Sequence, residues 1–247
     1  MSNCYVNVCG GLGNQLFQIA AGYAYSIKHD KNLYIDVSNW TALQGSPPSR
    51  YRDTVLENFN YDKSFTRDII PIYEREFNYT ELPFHHGNVS LNGYFQSLKY
   101  FKEYKDEFVK ELSLPNVKTS WIKHQSIAFH IRRGDYLTLP HIFNVCDTEY
   151  FKKLFEEYAS YEINVFTDSP QHVLKEFDGY DFKIIQGKSE LEDLTMMANH
   201  PNIVCSNSSF SWWASLLGIK KDKIIVPSKW LLDRDCSDIY YEGMIKI

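Results

Sequence analysis

Cysteine is scarce in this chain of 247 residues, and its five copies are scattered: Cys4, Cys9, Cys146, Cys205 and Cys236. An odd number with no Cys-x-x-Cys pair argues against a disulfide framework and a zinc knuckle, so we expect free thiols, mostly buried. There is no apolar run of about 18 residues, and the opening MSNCYVNVCG lacks a charged leader and a long apolar core. We expect no export signal, no transmembrane segment and a cytoplasmic location, with peripheral membrane contact left open.

An excess of basic residues is also missing. Lysine and arginine total 26 against 31 acidic residues, which gives a formal net charge of -5, so we expect no nucleic-acid partner. Aromatic residues are abundant, at 16% of the chain with 18 tyrosines. They suit stacking against carbohydrate as well as ordinary core packing.

The most informative stretch is IAFHIRRGDY, residues 127–136. Apolar positions lead into charged ones, a pattern typical of a buried strand whose end reaches a ligand crevice. If the strand continues that far, the side chains of Arg132 and Arg133 point to opposite faces, and only one of them can aim at a ligand. The alternative is a solvated strand end in which Arg133 pairs with Asp135 at little gain in stability.

A second stretch lies near the start of the chain. Residues 5–8 predict a short buried strand, 10–15 (GGLGNQ) a glycine turn, and 16–29 a helix. The glycines would let backbone N–H groups approach an anion or a polar sugar at the helix N-terminus. The dinucleotide-binding fingerprint fails, because Leu16 occupies the third glycine position. A tight turn used only for packing is the alternative.

The rest of the chain predicts an α/β protein with two Rossmann-like domains, residues 1–114 and 115–247. Residues 32–37 complete a βαβ unit, 40–92 show no steady period, and 97–112 predict an amphipathic helix. After a linker at Pro115, strands alternate with helices, which implies a parallel sheet covered on both faces. The predicted strands are 127–131, 163–167, 182–186, 202–205 and 224–226, and the predicted helices are 148–159, 171–177, 191–199 and 211–217.

Polar groups follow several of these strands. Asp168 ends one strand, Asp193 opens a helix, and Ser208 and Ser209 stand where another helix starts. Taken singly, the serines are more often plain N-caps. Taken together with Arg132, the set offers a cradle for a diphosphate and carboxylates that could accept the paired N–H donors of a guanine edge. A nucleoside diphosphate compound fits these groups.

Three motifs in order resemble those of the family 11 glycosyltransferases, the α-1,2-fucosyltransferases: residues 10–18 (GGLGNQLFQ), 130–136 (HIRRGDY) and 207–213 (NSSFSWW), with 227–230 (PSKW) similar to the closing element of the family. The resemblance implies a GT-B fold, with two Rossmann-like halves facing across a cleft and the N-terminal half reduced. It also implies an inverting fucosyltransferase that needs no metal. The donor would be GDP-β-L-fucose, held mainly by the C-terminal half, and the acceptor a glycan hydroxyl such as O2 of a galactoside.

The resemblance also implies roles for individual residues. Arg132 would neutralise the β-phosphate as GDP leaves, and Asp135 would orient the arginine loop or take the acceptor proton. The expected donor-binding residues fall in both halves of the chain: Gly11, Asn14, His130, Asp168, Asp193, Ser208, Ser209 and Phe210. His130 and Asp193 would contact guanine or ribose, residues 208–210 the diphosphate, and Asn14 the β-phosphate and fucose.

Several points stay open at this stage. Asp36 and Asp135 are both candidates for the base, and the departing phosphate itself could take the proton. Asp233-Arg234-Asp235 resembles a manganese-binding acid pair, but it falls beyond the last predicted strand, where a solvated loop is expected. The alternatives are a non-catalytic nucleotide-sugar or glycan-binding protein and a nucleotide-dependent oxidoreductase. The oligomeric state is not encoded in any pattern we recognise.

Overall fold

The computed structural model describes residues 1–36, 47, 49–62, 68–134, 140–143 and 145–247. The chain divides into two compact units. The first unit contains Met1–Leu114 together with the short segment Asp238–Tyr240. The second unit contains Pro115–Ser237 and Tyr241–Ile247.

The first unit is built on a five-stranded sheet in which every described pairing is parallel. Its strands are β1 (Ser2–Asn7), β2 (Lys31–Asp36), β3 (Tyr61–Asp62), β4 (Ile69–Tyr73) and β5 (Asn88–Asn92). The order is β3-β2-β1-β5-β4. After β1 the chain adds β2 and β3 on one side of it, and β4 and β5 then lie on the other side. The topological switch point is therefore between β1 and β5. Ligands of open α/β sheets bind at such a point.

Helix α1 (Leu12–Lys28) connects β1 to β2 and is buried over most of its length. It begins four residues earlier than the sequence predicted, because the residues after the glycine pair already take part in its first turn. Gly22 lets α1 lie directly on β1, since a Cβ there would collide with the side chain of Val6. Close contact of helix and strand brings the helix N-terminus to the carboxyl end of the sheet.

Two regions of the first unit differ from the sequence prediction. The stretch 40–92, which had no steady period, contains β3, β4 and β5 and the one-turn helix α2 (Ser49–Arg52). The helix predicted over 97–112 is broken into 3₁₀ turns at Leu98–Tyr100 and Lys102–Tyr104, followed by α3 (Lys105–Glu111). Phe101 interrupts it with φ -137°, a non-helical value. Its buried ring packs against Phe17 and Phe108 instead.

The second unit is built on a six-stranded sheet whose pairings are also parallel. Its strands are β6 (Ser126–Ile131), β7 (Glu162–Thr167), β8 (Lys183–Ile184), β9 (Asn202–Val204), β10 (Lys223–Val226) and β11 (Met244–Lys246). In order of appearance within this unit the strands lie as 3-2-1-4-5-6, the order of a Rossmann fold. The topological switch point is thus between β6 and β9.

Among the described residues of this unit, five α-helices lie between the strands: α4 (Pro140–Phe143), α5 (Thr148–Glu157), α6 (Pro170–Glu176), α7 (Glu190–Ala198) and α8 (Ser209–Leu216). Asp147 is the N-cap of α5, because its side chain accepts the N–H of Tyr150 at 2.8 Å. Strand β11 was not predicted, so residues 233–235 precede the last strand rather than follow it. Three residues paired with β10 at a sheet edge carry too short a pattern to detect.

Phenylalanine rings dominate the core on the α5 and α6 side of this sheet. The rings of Phe129, Phe155 and Phe177 are fully or almost fully buried. The centroid of the Phe155 ring lies 5.0 Å from that of Phe129 and 5.1 Å from that of Phe177. All five cysteines are free, and four are buried, as predicted. None of the helices in the described part of the chain combines the length and the apolar character that crossing a bilayer requires.

Candidate functional site

The sequence-predicted residues of the second unit gather at the carboxyl edge of its sheet. His130 is the next-to-last residue of β6 and Arg132 directly follows the strand, Asp168 follows β7, and Ser208 lies in the loop after β9. Because β7 and β9 are the two neighbours of β6, these loops are adjacent in space. They surround the switch point at which the fold class binds its ligands.

Asp168 holds the loop that follows β6. One carboxylate oxygen accepts the backbone N–H groups of Arg133 and Gly134, at 3.0 and 3.3 Å, and the other pairs with Nε of Arg132 at 3.1 Å. Gly134 fits only because it has no Cβ, which would collide with this carboxylate. The Arg132 side chain stays about one-third exposed. Its charge is therefore oriented by the protein and still accessible to a ligand.

The neighbouring arginine points the other way and is buried. Arg133 forms a two-pronged pair with Glu176, at 2.8 and 2.7 Å, and donates a third hydrogen bond to the carbonyl of Cys146 at 2.8 Å. Its guanidinium carbon lies 5.2 Å from the ring centroid of Phe151. The two side chains thus point in different directions, as predicted, although β6 itself already ends at Ile131. The predicted alternative partner, Asp135, lies outside the described residues, and the pairing seen is with Glu176.

The ion pair changes the titration of Glu176. Burial acts to raise the pKa of this carboxyl, but the hydrogen bonds from Arg133 and Thr148 and the nearby positive charge outweigh burial and lower it. Glu176 therefore stays ionised at neutral pH. Since a buried charge without its partner is strongly unfavourable, this pair fixes where α6 sits against β6.

His130 joins the loop after β6 to the loop after β9. Its Nδ1 lies 2.8 Å from Oγ of Ser206, and both side chains are buried. Burial, with the positive charge of Arg132 adding to it, lowers the pKa of His130 to about 3. The ring is therefore neutral, and it lies 5.5 Å from the ring of Phe210 at the start of α8. The structure thus places His130 in a buried contact between the two loops, and its contact with guanine or ribose stays a prediction.

Helix α8 opens with a serine cap. The hydroxyl of Ser208 accepts the N–H of Phe210 at 3.4 Å, and the N–H of Ser208 itself donates to the Ser206 carbonyl at 2.7 Å. The N-cap reading of Ser208 is thus correct. It is compatible with anion binding as well, because the cap occupies one helix donor while Ser209 and Phe210 remain partly exposed at a helix start that favours negative charge.

Asp193 lies in the first turn of α7, after β8. One of its carboxylate oxygens accepts the N–H of Gly187 at 2.6 Å, which closes the loop before the helix. Burial, which outweighs this hydrogen bond, raises its pKa. The structure thus places Asp193 at the same sheet edge, two strands away from His130, and contact with guanine or ribose stays a prediction.

The glycine turn of the first unit has its own set of contacts. Gly10 adopts φ +79°, and the carbonyl of Gly11 accepts the N–H groups of Asn14 and Gln15 to begin α1. The side-chain oxygen of Asn14 accepts a hydrogen bond from Nε2 of Gln96 at 2.7 Å. This turn therefore combines an exposed backbone at Gly11 with an oriented side-chain amide.

Comparison with known proteins identifies the family. The glycosyl transferase family 11 model matches residues 5–243, nearly the whole chain. The chain belongs to this family. An α-1,2-colitosyltransferase of Escherichia coli is 27% identical, with 93% of each chain covered, and the O-antigen biosynthesis glycosyltransferase WbnK of Escherichia coli is 26% identical, covering 98% of this chain and 100% of WbnK.

Solved structures support the fold. The fucosyltransferase NodZ from Bradyrhizobium superposes with a TM-score of 0.56 at 16% identity, covering 87% of this chain and 92% of NodZ. A structure of the NodZ α-1,6-fucosyltransferase soaked with GDP-fucose gives 0.52 at 17% identity over the same shares. The fold class of this glycosyltransferase is accordingly α/β of GT-B type, as predicted.

Sequence reasoning missed three residues of this glycosyltransferase that bind side chains of the predicted motifs. Glu176 pairs with Arg133 from 43 positions away, Ser206 holds His130 from 76, and Gln96 holds Asn14 from 82. None of them stands in a motif with chemistry of its own. The one available signal was position, since Ser206 directly follows the buried strand β9 and precedes the serine motif.

The acidic residues of 233–235 have local partners. Both carboxylate oxygens of Asp233 accept hydrogen bonds from Arg234, at 3.1 and 2.7 Å, and Asp235 caps Ser237. The pairing with Arg234 lowers the pKa of Asp233. Over the described ranges, no three histidine, cysteine or acidic side chains are grouped so that they could hold a metal ion.

The two arginines are expected to differ sharply in their effect on stability. Arg133→Met removes the two-pronged partner of the largely buried Glu176, which keeps only Thr148 and the half-exposed His172, and should lower the free energy of unfolding by about 3 kcal/mol. Arg132→Met removes a partly exposed pair and should change it by less than about 1 kcal/mol. Equilibrium unfolding in urea of both variants and the wild type measures this, and equal effects would show that the two roles are not distinct.

Stability should fall as the pH drops below about 6.5. Burial lowers the pKa of His130 to about 3 and of His200 to about 4, whereas histidine in the unfolded chain titrates near 6.5. Between these values the two histidines take up protons only in the unfolded state, and each contributes a slope of about 1.4 kcal/mol per pH unit. Together they exceed the opposite slope of Glu74, whose pKa burial raises to about 7 in the folded protein. Urea unfolding from pH 4.5 to 7.5 should give a smaller slope for His130→Asn. The exposed control His124→Asn should match the wild type, and a wild-type slope in His130→Asn would contradict the assignment.

Proposed function

We propose that this glycosyltransferase moves L-fucose from GDP-β-L-fucose to a hydroxyl of a glycan, with inversion at the anomeric carbon and an α-1,2 linkage to a galactoside. The observation that carries the proposal is that Arg132, oriented by Asp168, and the serine-capped start of α8 lie at the same sheet edge. An arginine and a helix N-terminus are the two protein groups best suited to a diphosphate.

The chemistry follows from where charge develops. The acceptor oxygen forms a bond to the anomeric carbon while the bond from that carbon to the β-phosphate oxygen breaks, and its electron pair leaves with GDP. Negative charge therefore grows on the diphosphate, and Arg132 stabilises it most strongly in the transition state. A guanidinium already held by Asp168 needs little reorganisation at that moment.

The acceptor proton needs a destination. Asp36 at the end of β2, Asp135 and an oxygen of the departing phosphate are the candidates that the sequence offered. Asp36 is buried at the carboxyl edge of the first unit's sheet. We include no metal in the mechanism, because Arg132 and the α8 N-terminus supply the positive potential that a divalent cation supplies in other transferases.

The remaining donor-binding residues keep the roles implied by the family motifs. Residues 208–210 hold the diphosphate, and Asp193 binds the nucleoside. His130 contributes to nucleoside binding by holding the loop that contains Ser206. Asp168 acts through Arg132. Gly11 and Asn14 keep the donor-binding role that the glycine motif implies.

A second donor is favoured by one observation. The relative with 27% identity is named an α-1,2-colitosyltransferase, and colitose is L-fucose without its 3-hydroxyl group. A site that hydrogen-bonds the 3-hydroxyl would reject colitose strongly, whereas a site that does not would accept both sugars. Comparing kcat/KM for GDP-fucose and GDP-colitose on one galactoside acceptor separates these donors.

The nucleotide preference can be measured without an acceptor. GDP should raise the melting temperature more than ADP, UDP or CDP, because ligand bound only to the folded state stabilises it by about 2.7 kcal/mol at a concentration 100 times its Kd. Thermal-shift assays with the four nucleotides, each in buffer with and without EDTA, test this expectation. A larger shift with another nucleotide would contradict the donor, and loss of the GDP shift in EDTA would contradict metal independence.

Turnover should depend on Arg132. Arg132→Ala should lower kcat for fucosyl transfer by about 100- to 1000-fold, the loss typical of one preorganised donor at a charged transition state. The matched control is Arg234→Ala, which removes an exposed arginine paired with Asp233. GDP release from GDP-fucose with a galactoside acceptor measures both. Wild-type turnover in Arg132→Ala would refute the proposed role.

A further inference from the structure

The amide of Asn14 has a partner far away in the sequence. Nε2 of Gln96 donates to Oδ1 of Asn14 at 2.7 Å, and Gln96 is buried, with 8% of its surface exposed. The bond joins the first turn of α1 to the loop after β5. These two elements flank the switch point of the first unit.

The bond determines which end of the Asn14 amide faces which way. Because Oδ1 is directed at Gln96, the Nδ2 group is directed elsewhere, and it lies over Gly10, where any Cβ would collide with it. Nδ2 is the end that donates hydrogen bonds. Gln96 and the bare backbone of Gly10 together hold that donor at the glycine turn.

Gln96 is itself fixed by the turn in which it stands. The two carboxylate oxygens of Glu74 accept the N–H groups of Tyr94 and Phe95, at 2.7 and 2.9 Å. Phe95 adopts φ +51°, a conformation rare for a bulky residue, and its ring is fully buried against Tyr100. A turn held in this unusual conformation by a carboxylate gives Gln96 a defined direction.

We propose that Gln96 is a positioning residue for the transfer reaction, orienting the Asn14 amide so that its N–H donors face the donor substrate, and that Glu74 holds Gln96 in place. The proposal rests on the proposed function for the role of Asn14. Gln96 acts through Asn14 and touches no reacting atom. A carbonyl oxygen turned toward the diphosphate would repel it, so the orientation matters as much as the presence of the amide.

A double-mutant cycle tests the coupling. Gln96→Met should lower kcat/KM for GDP-fucose about tenfold, which is one hydrogen bond of about 1.4 kcal/mol. In an Asn14→Ala background the same change should have no further effect, because its target is gone. An undiminished tenfold loss in that background, or no loss in Gln96→Met alone, would overturn the proposal. The matched control Gln125→Met removes a surface amide bound to the Ser160 carbonyl and should behave as the wild type.

A second readout does not depend on activity. The side-chain amide signals of Asn14 in a ¹H–¹⁵N spectrum, assigned by their loss in Asn14→Ala, should shift in Gln96→Met and stay in place in Gln125→Met. Unchanged Asn14 signals in Gln96→Met would overturn the proposal even if transfer is detected. If the wild type transfers no fucose but the signals shift, the proposed function fails while the positioning contact stands. Gln96→Asn, which withdraws the donor by one methylene, replaces Gln96→Met if that variant does not fold.

Glu74 has a competing role that the same assays distinguish. Burial raises the pKa of Glu74 to about 7, despite its two backbone hydrogen bonds, and this is a value suited to a general base. As a positioning residue, Glu74→Gln should shift the Asn14 signals and lose its effect on kcat/KM in the Asn14→Ala background. Glu74 would instead be the base if Glu74→Gln abolished turnover, left the Asn14 signals unchanged and removed the acid limb of the pH–rate profile. That result would overturn this part of the proposal.

Discussion

The arrangement of the second unit depends on one carboxylate. Asp168 accepts the N–H groups of Arg133 and Gly134 and pairs with Arg132, so a single side chain sets both the path of the loop after β6 and the direction of its cation. Because the backbone is held at Arg133, the two arginine side chains are forced apart, one onto Glu176 in the interior and one toward the sheet edge. The absence of a Cβ at Gly134 is what admits the carboxylate. The same carboxylate thus determines both the conformation of this loop and the orientation of Arg132.

The two units use related solutions at their switch points. In the second unit a neutral, buried His130 and Ser206 connect the loops after β6 and β9. In the first unit side-chain amides make the corresponding connection. Gln18 donates to the Gly93 carbonyl and Gln96 donates to Asn14, and both bonds join the N-terminal part of α1 to the loop after β5. In both units polar loops follow adjacent parallel strands, and buried hydrogen bonds fix those loops relative to each other. Loss of such a bond leaves a buried polar group without a partner and lowers stability.

The sequence predicted most of the second unit because its strands are apolar runs and its helices carry N-caps such as Asp147. It also predicted that Arg132 and Arg133 diverge, because side chains of consecutive residues in extended backbone alternate. It could not supply partners such as Glu176 or Gln96, since contacts across 43 or 82 positions leave no local pattern. Strands of two or three residues, such as β3 and β11, were missed for a similar reason. Phe101 broke a predicted helix because tertiary packing outweighed periodicity.

The central claim is that the loops after β6 and β9 form one diphosphate site. Hydrogen–deuterium exchange with and without GDP tests it most directly, because binding should protect backbone N–H groups wherever the nucleotide lies. The account predicts that GDP slows exchange in residues 131–134 and 206–211 together, and that Asp168→Asn weakens protection in both segments. Protection in one segment without the other, or in neither, would contradict it.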